Sequence, residues 1–139
     1  MAIQLAVLTR NARLDAIETE IGTSPILRIR TGAPPADVAT ADSGSVLSEI
    51  TLPSDWMAAA SSGAKAKAGT WQDTSADAAG TAGHFRIYTS GGTAKLQGTC
   101  TASGGGGDMT LTVNGVSTAA ITLGADVTVA TFTLTDGNA

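Results

Sequence analysis

The sequence predicts a mainly β fold, a small antiparallel β-sandwich or jelly roll preceded by a short N-terminal arm and one helix. Three observations predict it: apolar residues alternate with polar ones through the last third, glycine-rich turns recur at short intervals, and Thr, Ala, Gly and Ser fill more than half of the 139 residues. We therefore expect an arm and amphipathic helix over residues 1–24 and a β-sandwich domain over residues 25–139.

The N-terminal unit begins with Ile3, Leu5 and Val7 alternating with small or polar residues, a pattern typical of a short strand or an extended arm. A helix is predicted over residues 9–20, with Thr9 as its N-cap and Gly22 as its stop. Its apolar stripe consists of three residues at helical spacing: Leu14, Ile17 and Ile21. This unit either holds a neighbouring molecule or packs on its own domain.

Two strands open the β domain. In the first, Leu27 and Ile29 face one way while Arg28 and Arg30 face the other, as on a solvated strand. The second covers residues 45–52 and ends at a proline, after which Trp56 is predicted to be a lid on the core.

A long Ala/Gly/Ser-rich loop is predicted over about residues 58–83. Loops of this length in small domains are usually functional or ordered by a partner. Trp71 lies within it and has two open interpretations: packing onto its own sheet, or anchoring in the pocket of another chain.

Successive hairpins follow. Residues 84–89 are expected to pair with residues 94–102, and Asn114 with Gly115 predicts a type I′ turn. Ile121 and Leu123 mark the next strand, and the apolar phase of the last strand slips near residues 130–131, which predicts a β-bulge.

The titratable residues predict no enzyme. His84 and Cys100 are the only residues of their types and are expected on opposite strand faces, and the carboxylates are scattered. We therefore expect no catalytic residue, cofactor, metal or small-molecule substrate. The net charge of −4 and pI near 4.6 argue against nucleic-acid binding. No apolar run is long enough for a membrane helix and no signal peptide is evident, so synthesis and assembly in the cytoplasm are expected.

The apolar content is low for a self-sufficient core. Leu, Ile, Val and Phe make up just under a fifth of the residues, while net charge stays small. We expect a thin core, stabilised in part by contact with copies of the chain or with a larger partner. A homo-oligomer is the predicted state.

Three parts of the chain resemble small virion proteins of tailed bacteriophages: residues 46–56 (VLSEITLPSDW), residues 69–73 and 80–88 (GTWQD, GTAGHFRIY), and residues 104–111 (GGGGDMTL). The resemblance extends over most of the chain beyond residue 25 and concerns the order and composition of segments. It implies a head decoration or cement protein on the outer face of the capsid, bridging major capsid subunits.

Two other functions are kept beside this one. A tail or fibre component that recognises a host surface is the alternative, and a small cell-wall hydrolase is a third possibility that lacks acid, base and metal ligands. For any docking role the candidate partner contacts are the helix stripe and both tryptophans: Leu14, Ile17, Ile21, Trp56 and Trp71.

Overall fold

The computed structural model describes residues 3–137 and shows a mainly β fold with one N-terminal helix, as predicted. Residues 1, 2, 138 and 139 of the predicted units lie outside the described residues. The elements of the described part are α1 (Val7–Ile21), β1 (Ile26–Thr31), β2 (Val46–Thr51), β3 (Ala64–Ala66), β4 (Gln72–Asp73), β5 (Gly80–Tyr88), β6 (Ala94–Thr101), β7 (Met109–Val113), β8 (Val116–Ser117), β9 (Ala120–Ile121) and β10 (Val127–Thr135).

The strands form one curled mixed sheet in the order β2-β1-β5-β6-β7-β10-β3. Its two halves face each other across a single core, in which Phe85 of β5 meets Phe132 of β10 edge to face with ring centroids 5.5 Å apart. β6 and β7 pair in parallel, whereas the other ladders are antiparallel. The antiparallel prediction fails at this pair because glycine-rich residues 102–108 fold back along β6, where the Asp108 carboxylate accepts from the Thr99 N–H at 2.9 Å.

The helix is longer than predicted. It begins at Val7, two residues before Thr9, and Ala6 occupies the N-cap position with no side-chain cap, so the prediction of a Thr9 cap is wrong. Its end is confirmed: Gly22 follows with φ +88°, a conformation that favours glycine, and its N–H donates to Glu18 at 2.9 Å. Residues 3–6 form neither helix nor strand.

The first strand is confirmed in its apolar face, because Leu27 and Ile29 are completely buried. On the opposite face Arg30 is only 6% exposed, which contradicts the prediction of a solvated arginine there. The reason is that residues 33–44, called the strap below, cross this face of the sheet and cover it.

The predicted long loop over residues 58–83 contains β3, β4 and the first residues of β5. Long-range pairing orders it: β10 has nine residues and pairs with β4 near its start and with β3 near its end. Backbone hydrogen bonds therefore organise a segment whose side chains alone predict no element.

The hairpin predictions hold. β5 pairs with β6, Asn114 and Gly115 both have positive φ (50° and 77°), and the register of β10 shifts between Val129 and Thr131. Leu123 differs from the prediction: β9 covers only two residues, and this side chain is 71% exposed beyond its end.

Candidate interaction surfaces

The five residues predicted as partner contacts lie at the joint between α1 and the sheet. Leu14, Ile21, Trp56 and Trp71 are buried, and Ile17 is partly buried against the core. Four of these side chains therefore lie inside the fold, and Ile17 is only partly covered.

The two tryptophans belong to a row of aromatic rings. Trp71 lies between Trp56 and Phe132, with centroid distances of 5.9 Å and 5.5 Å, and both tryptophans are 0% exposed. The indole N–H of Trp56 donates to Gly22 O at 3.1 Å, and that of Trp71 donates to Ala68 O at 3.0 Å. Both polar tips are thus satisfied within the chain, which is what burial of tryptophan requires.

A buried lysine of β3 forms ion pairs with two carboxylates of α1 and holds the helix against the sheet. Lys65 of β3 is 2% exposed, and its Nζ lies 2.7 Å from carboxylate oxygens of both Asp15 and Glu18 and donates to Ala58 O at 2.8 Å. Burial lowers the pKa of Lys65, but the two carboxylates outweigh burial and raise it above its usual value. A groove of about 780 Å³ runs beside this contact. Its charged lining residues are Asp15, Glu18, Asp55 and Lys65.

Two buried arginines fasten the strap. Asp42 accepts from Arg30 at 2.7 Å, from Arg86 at 2.5 Å and from the Tyr88 hydroxyl at 2.8 Å, while Arg86 also donates to the carbonyl of Val38 at 2.6 Å. Burial raises the pKa of Asp42, but the Tyr88 hydroxyl and the two guanidinium groups hold it below its usual value. This cluster, called the arginine clasp below, holds the strap on the sheet, with two guanidinium groups sharing one carboxylate.

The lone histidine and cysteine lie on opposite faces of the sheet, because His84 pairs with Thr99, the residue before Cys100. His84 is buried and its Nδ1 lies 2.8 Å from Gly32 O. Burial raises the pKa of the Cys100 thiol to about 12, so the reactive thiolate is scarce at neutral pH. Within residues 3–137 no group of three or more His, Cys, Asp or Glu side chains is placed to hold a metal ion, and no helix is long and apolar enough to cross a membrane.

Apolar side chains are exposed at two places in the described part of the chain. The first, called the N-terminal end, consists of Ile3 (86% exposed), Val7 (44%) and Leu8 (81%). The second, called the hairpin end, consists of Val116 (63%) and Leu123 (71%). Large exposed apolar side chains are the first candidates for contact with another molecule, because contiguous apolar patches mark interaction surfaces.

The two ends lie at opposite ends of β10. Val113 pairs with both Val116 and Val127, which places the hairpin end at the start of the strand. At the other end, Arg10 of α1 donates to Asp136 O at 2.9 Å. Because a strand rises about 3.3 Å per residue, the nine residues of β10 place Val127 and Thr135 roughly 26 Å apart.

Sequence reasoning named the N-terminal arm as a unit that could hold a neighbour, but it missed Leu8 and the hairpin end. Leu8 lies off the stripe of Leu14, Ile17 and Ile21, so a helix that buries the stripe leaves Leu8 outside. Leu123 follows Ile121 in the alternation, and only the shortness of β9 exposes it.

Comparison of the chain with protein-family models, with curated proteins and with solved structures finds no match.

Proposed function

We propose that this chain is a structural protein of a bacteriophage particle, a decoration protein that binds the outer face of the head and bridges major capsid subunits. The observation that carries the proposal is the set of exposed apolar side chains beyond the two ends of β10, a strand roughly 26 Å long. A bridging protein needs two separate contact surfaces at a constant distance, and β10 supplies that distance.

The connection between the ends is rigid. β10 lies between them in one hydrogen-bonded sheet, and the aromatic row fills the core behind this strand. The Lys65 contact holds α1, and thereby the N-terminal end, against β3. The path between the two ends therefore runs through β10 and the elements packed against it.

The resemblance of residues 46–56, 69–73, 80–88 and 104–111 to small virion proteins supports the same role. Under this proposal the hairpin end contacts the capsid lattice, and the N-terminal end contacts a second capsid subunit or a sister copy. Many copies in a symmetric array convert modest single contacts into firm attachment. The role is non-enzymatic, and the protein assembles onto particles in the host cytoplasm.

The testing experiment is localisation and counting in purified particles by cryo-electron microscopy and quantitative mass spectrometry against the major capsid protein. We expect copies spread over the whole shell. Copies confined to one vertex or to the tail would overturn decoration and favour the tail or fibre role. Absence from particles would overturn any virion role.

A matched pair of variants tests whether the hairpin end is the surface that contacts the capsid. Val116→Ser with Leu123→Ser removes its apolar side chains, and we expect about tenfold weaker binding to undecorated heads. Thr122→Ser changes an exposed neighbour without removing apolar surface and should bind as the wild type does. Equal binding by both variants would show that the hairpin end is not the contact.

A further inference from the structure

One flank of α1 carries an apolar groove. Two cavities lie along it, one of about 400 Å³ beside the end of β10 and one of about 290 Å³ beside the start of β6. Ala16 and Ile17 line both cavities, so the two form one continuous groove along the helix. Ala16 is exposed, and Ile17 is partly buried against the core. We call this surface the helix groove.

An ion pair lies at each end of the helix groove. At the β10 end, Arg13 Nε is 3.3 Å from Asp136 Oδ2, and at the β6 end, Lys95 Nζ is 2.7 Å from Glu20 Oε1. The side chains of Arg13 and Glu20 are nevertheless 61% and 72% exposed. Because exposed ion pairs hold their side chains weakly, both residues are able to bind a further charge from outside. The helix therefore presents a positive charge at one end of the groove and a negative charge at the other.

This arrangement is complementary to itself. Arg13 and Glu20 are seven residues apart, which is about two helical turns and about 10.5 Å. The midpoint between them falls between Ala16 and Ile17, at the centre of the groove. A two-fold axis perpendicular to α1 at this midpoint reverses the helix, so that Arg13 of each copy faces Glu20 of the other. The sheet residues of the two ion pairs are likewise brought together with opposite signs.

We propose that a second copy of this chain docks on the helix groove, with the two α1 helices antiparallel. The small side chain of Ala16 at the centre allows the helix axes to approach to the roughly 8–10 Å typical of packed helices. The aliphatic stem of Arg13 then lies across the groove of the other copy and covers Ile17 there, while its guanidinium reaches Glu20. The charges set the orientation of the pair, and the apolar groove supplies the buried area.

The contact leaves the N-terminal end accessible. Nine residues separate Leu8 from Ile17, which is about two and a half helical turns, so Leu8 points away from the helix groove. A paired copy therefore still presents its N-terminal end to a capsid subunit. The inference goes beyond the proposed function, because the pairing needs no particle and is measured on the purified protein.

Exchange of the two charges tests the pairing directly. Arg13→Glu places carboxylates on both sides of each contact, and Glu20→Arg places guanidinium groups on both sides. We expect each variant alone to self-associate about tenfold more weakly than the wild type in sedimentation equilibrium. An equimolar mixture of the two variants restores opposite charges at both contacts, and it should associate within about threefold of the wild type.

The matched control is Glu49→Arg. Glu49 is also an exposed carboxylate in an ion pair, with Arg28 at 2.7 Å, but it lies on β2. This variant should associate as the wild type does. A wild type that stays monomeric up to about 1 mM would overturn the proposal. Single variants that associate like the wild type, or a mixture that associates no better than either variant alone, would do the same.

A second measurement leaves the charges unchanged. In a Cys100→Ala background, Ala16→Cys places one thiol beside the two-fold axis of each pair. Under mild oxidation we expect a disulfide-linked dimer to form about ten times faster than in a control with Leu123→Cys at the hairpin end. Equal rates at the two positions would overturn the pairing even if a charge variant failed to fold.

The two proposals fail separately. Pairing of the purified protein together with its absence from particles would overturn decoration and leave the pairing standing. Decorated shells together with a monomeric purified protein would do the reverse.

Discussion

The middle of the molecule and its two ends use the same class of residue for different purposes. In the middle, Trp56, Trp71 and Phe132 pack into one row and are at most 3% exposed. At the ends, Leu8 and Leu123 are 81% and 71% exposed. Although the chain has few large apolar residues, some of them lie outside the core. Those residues are the candidates for contact with other molecules.

The largest expected effect is on the middle. Trp71→Ala leaves a cavity between Trp56 and Phe132, and we expect a loss of about 3 to 5 kcal/mol in the free energy of unfolding. Urea denaturation followed by circular dichroism measures it. Trp71→Phe, which refills part of the space, should lose less. A loss below about 1 kcal/mol for the alanine variant would show that the aromatic row is not the stabilising core.

The arginine clasp should rank second. Arg86→Met removes one of the two guanidinium groups that hold Asp42 of the strap. We expect the free energy of unfolding to fall by about 3 kcal/mol. The matched control is Arg28→Met, since Arg28 faces Arg86 across β1 and β5 but forms a more exposed pair with Glu49 at 2.7 Å. That control should lose about 1 kcal/mol or less. Equal losses in urea denaturation would show that burial of the clasp adds nothing.

Acid should weaken the clasp in a defined direction. The folded pKa of Asp42 is below the value of 3.8 expected for the unfolded chain, so its contribution is fully present above about pH 4 and is lost as pH falls through the folded pKa. We expect the wild type to lose stability below about pH 4 and Asp42→Asn to start lower and lose less. Unfolding curves measured at successive pH values provide the check. Parallel pH profiles would show that other carboxylates dominate.

The smallest expected effect is at the ends. Leu8→Ser and Leu123→Ser remove exposed side chains, and each should change the free energy of unfolding by about 0.5 kcal/mol or less. The same denaturation measurement applies. A loss above about 1 kcal/mol at either position would show that the side chain there is part of the core.

Local rules predicted the parts of the fold that depend on neighbouring residues. The stop at Gly22, the turn at Asn114 and Gly115, the buried face of β1 and the bulge of β10 follow from backbone freedom and short-range alternation. Each depends on a few consecutive residues, so the sequence alone was enough to predict it.

Contacts between distant segments decided the rest. The parallel pairing of β6 with β7, the strap over Arg30 and the burial of Trp71 join residues that no local pattern relates. Four of the five predicted contact residues became core for the same reason, and Leu8 and Leu123 became the exposed ones. An apolar residue is recognisable from sequence, but whether it faces a core or a neighbour depends on which strands lie beside it, and pairing at long sequence separation is a property of the whole chain.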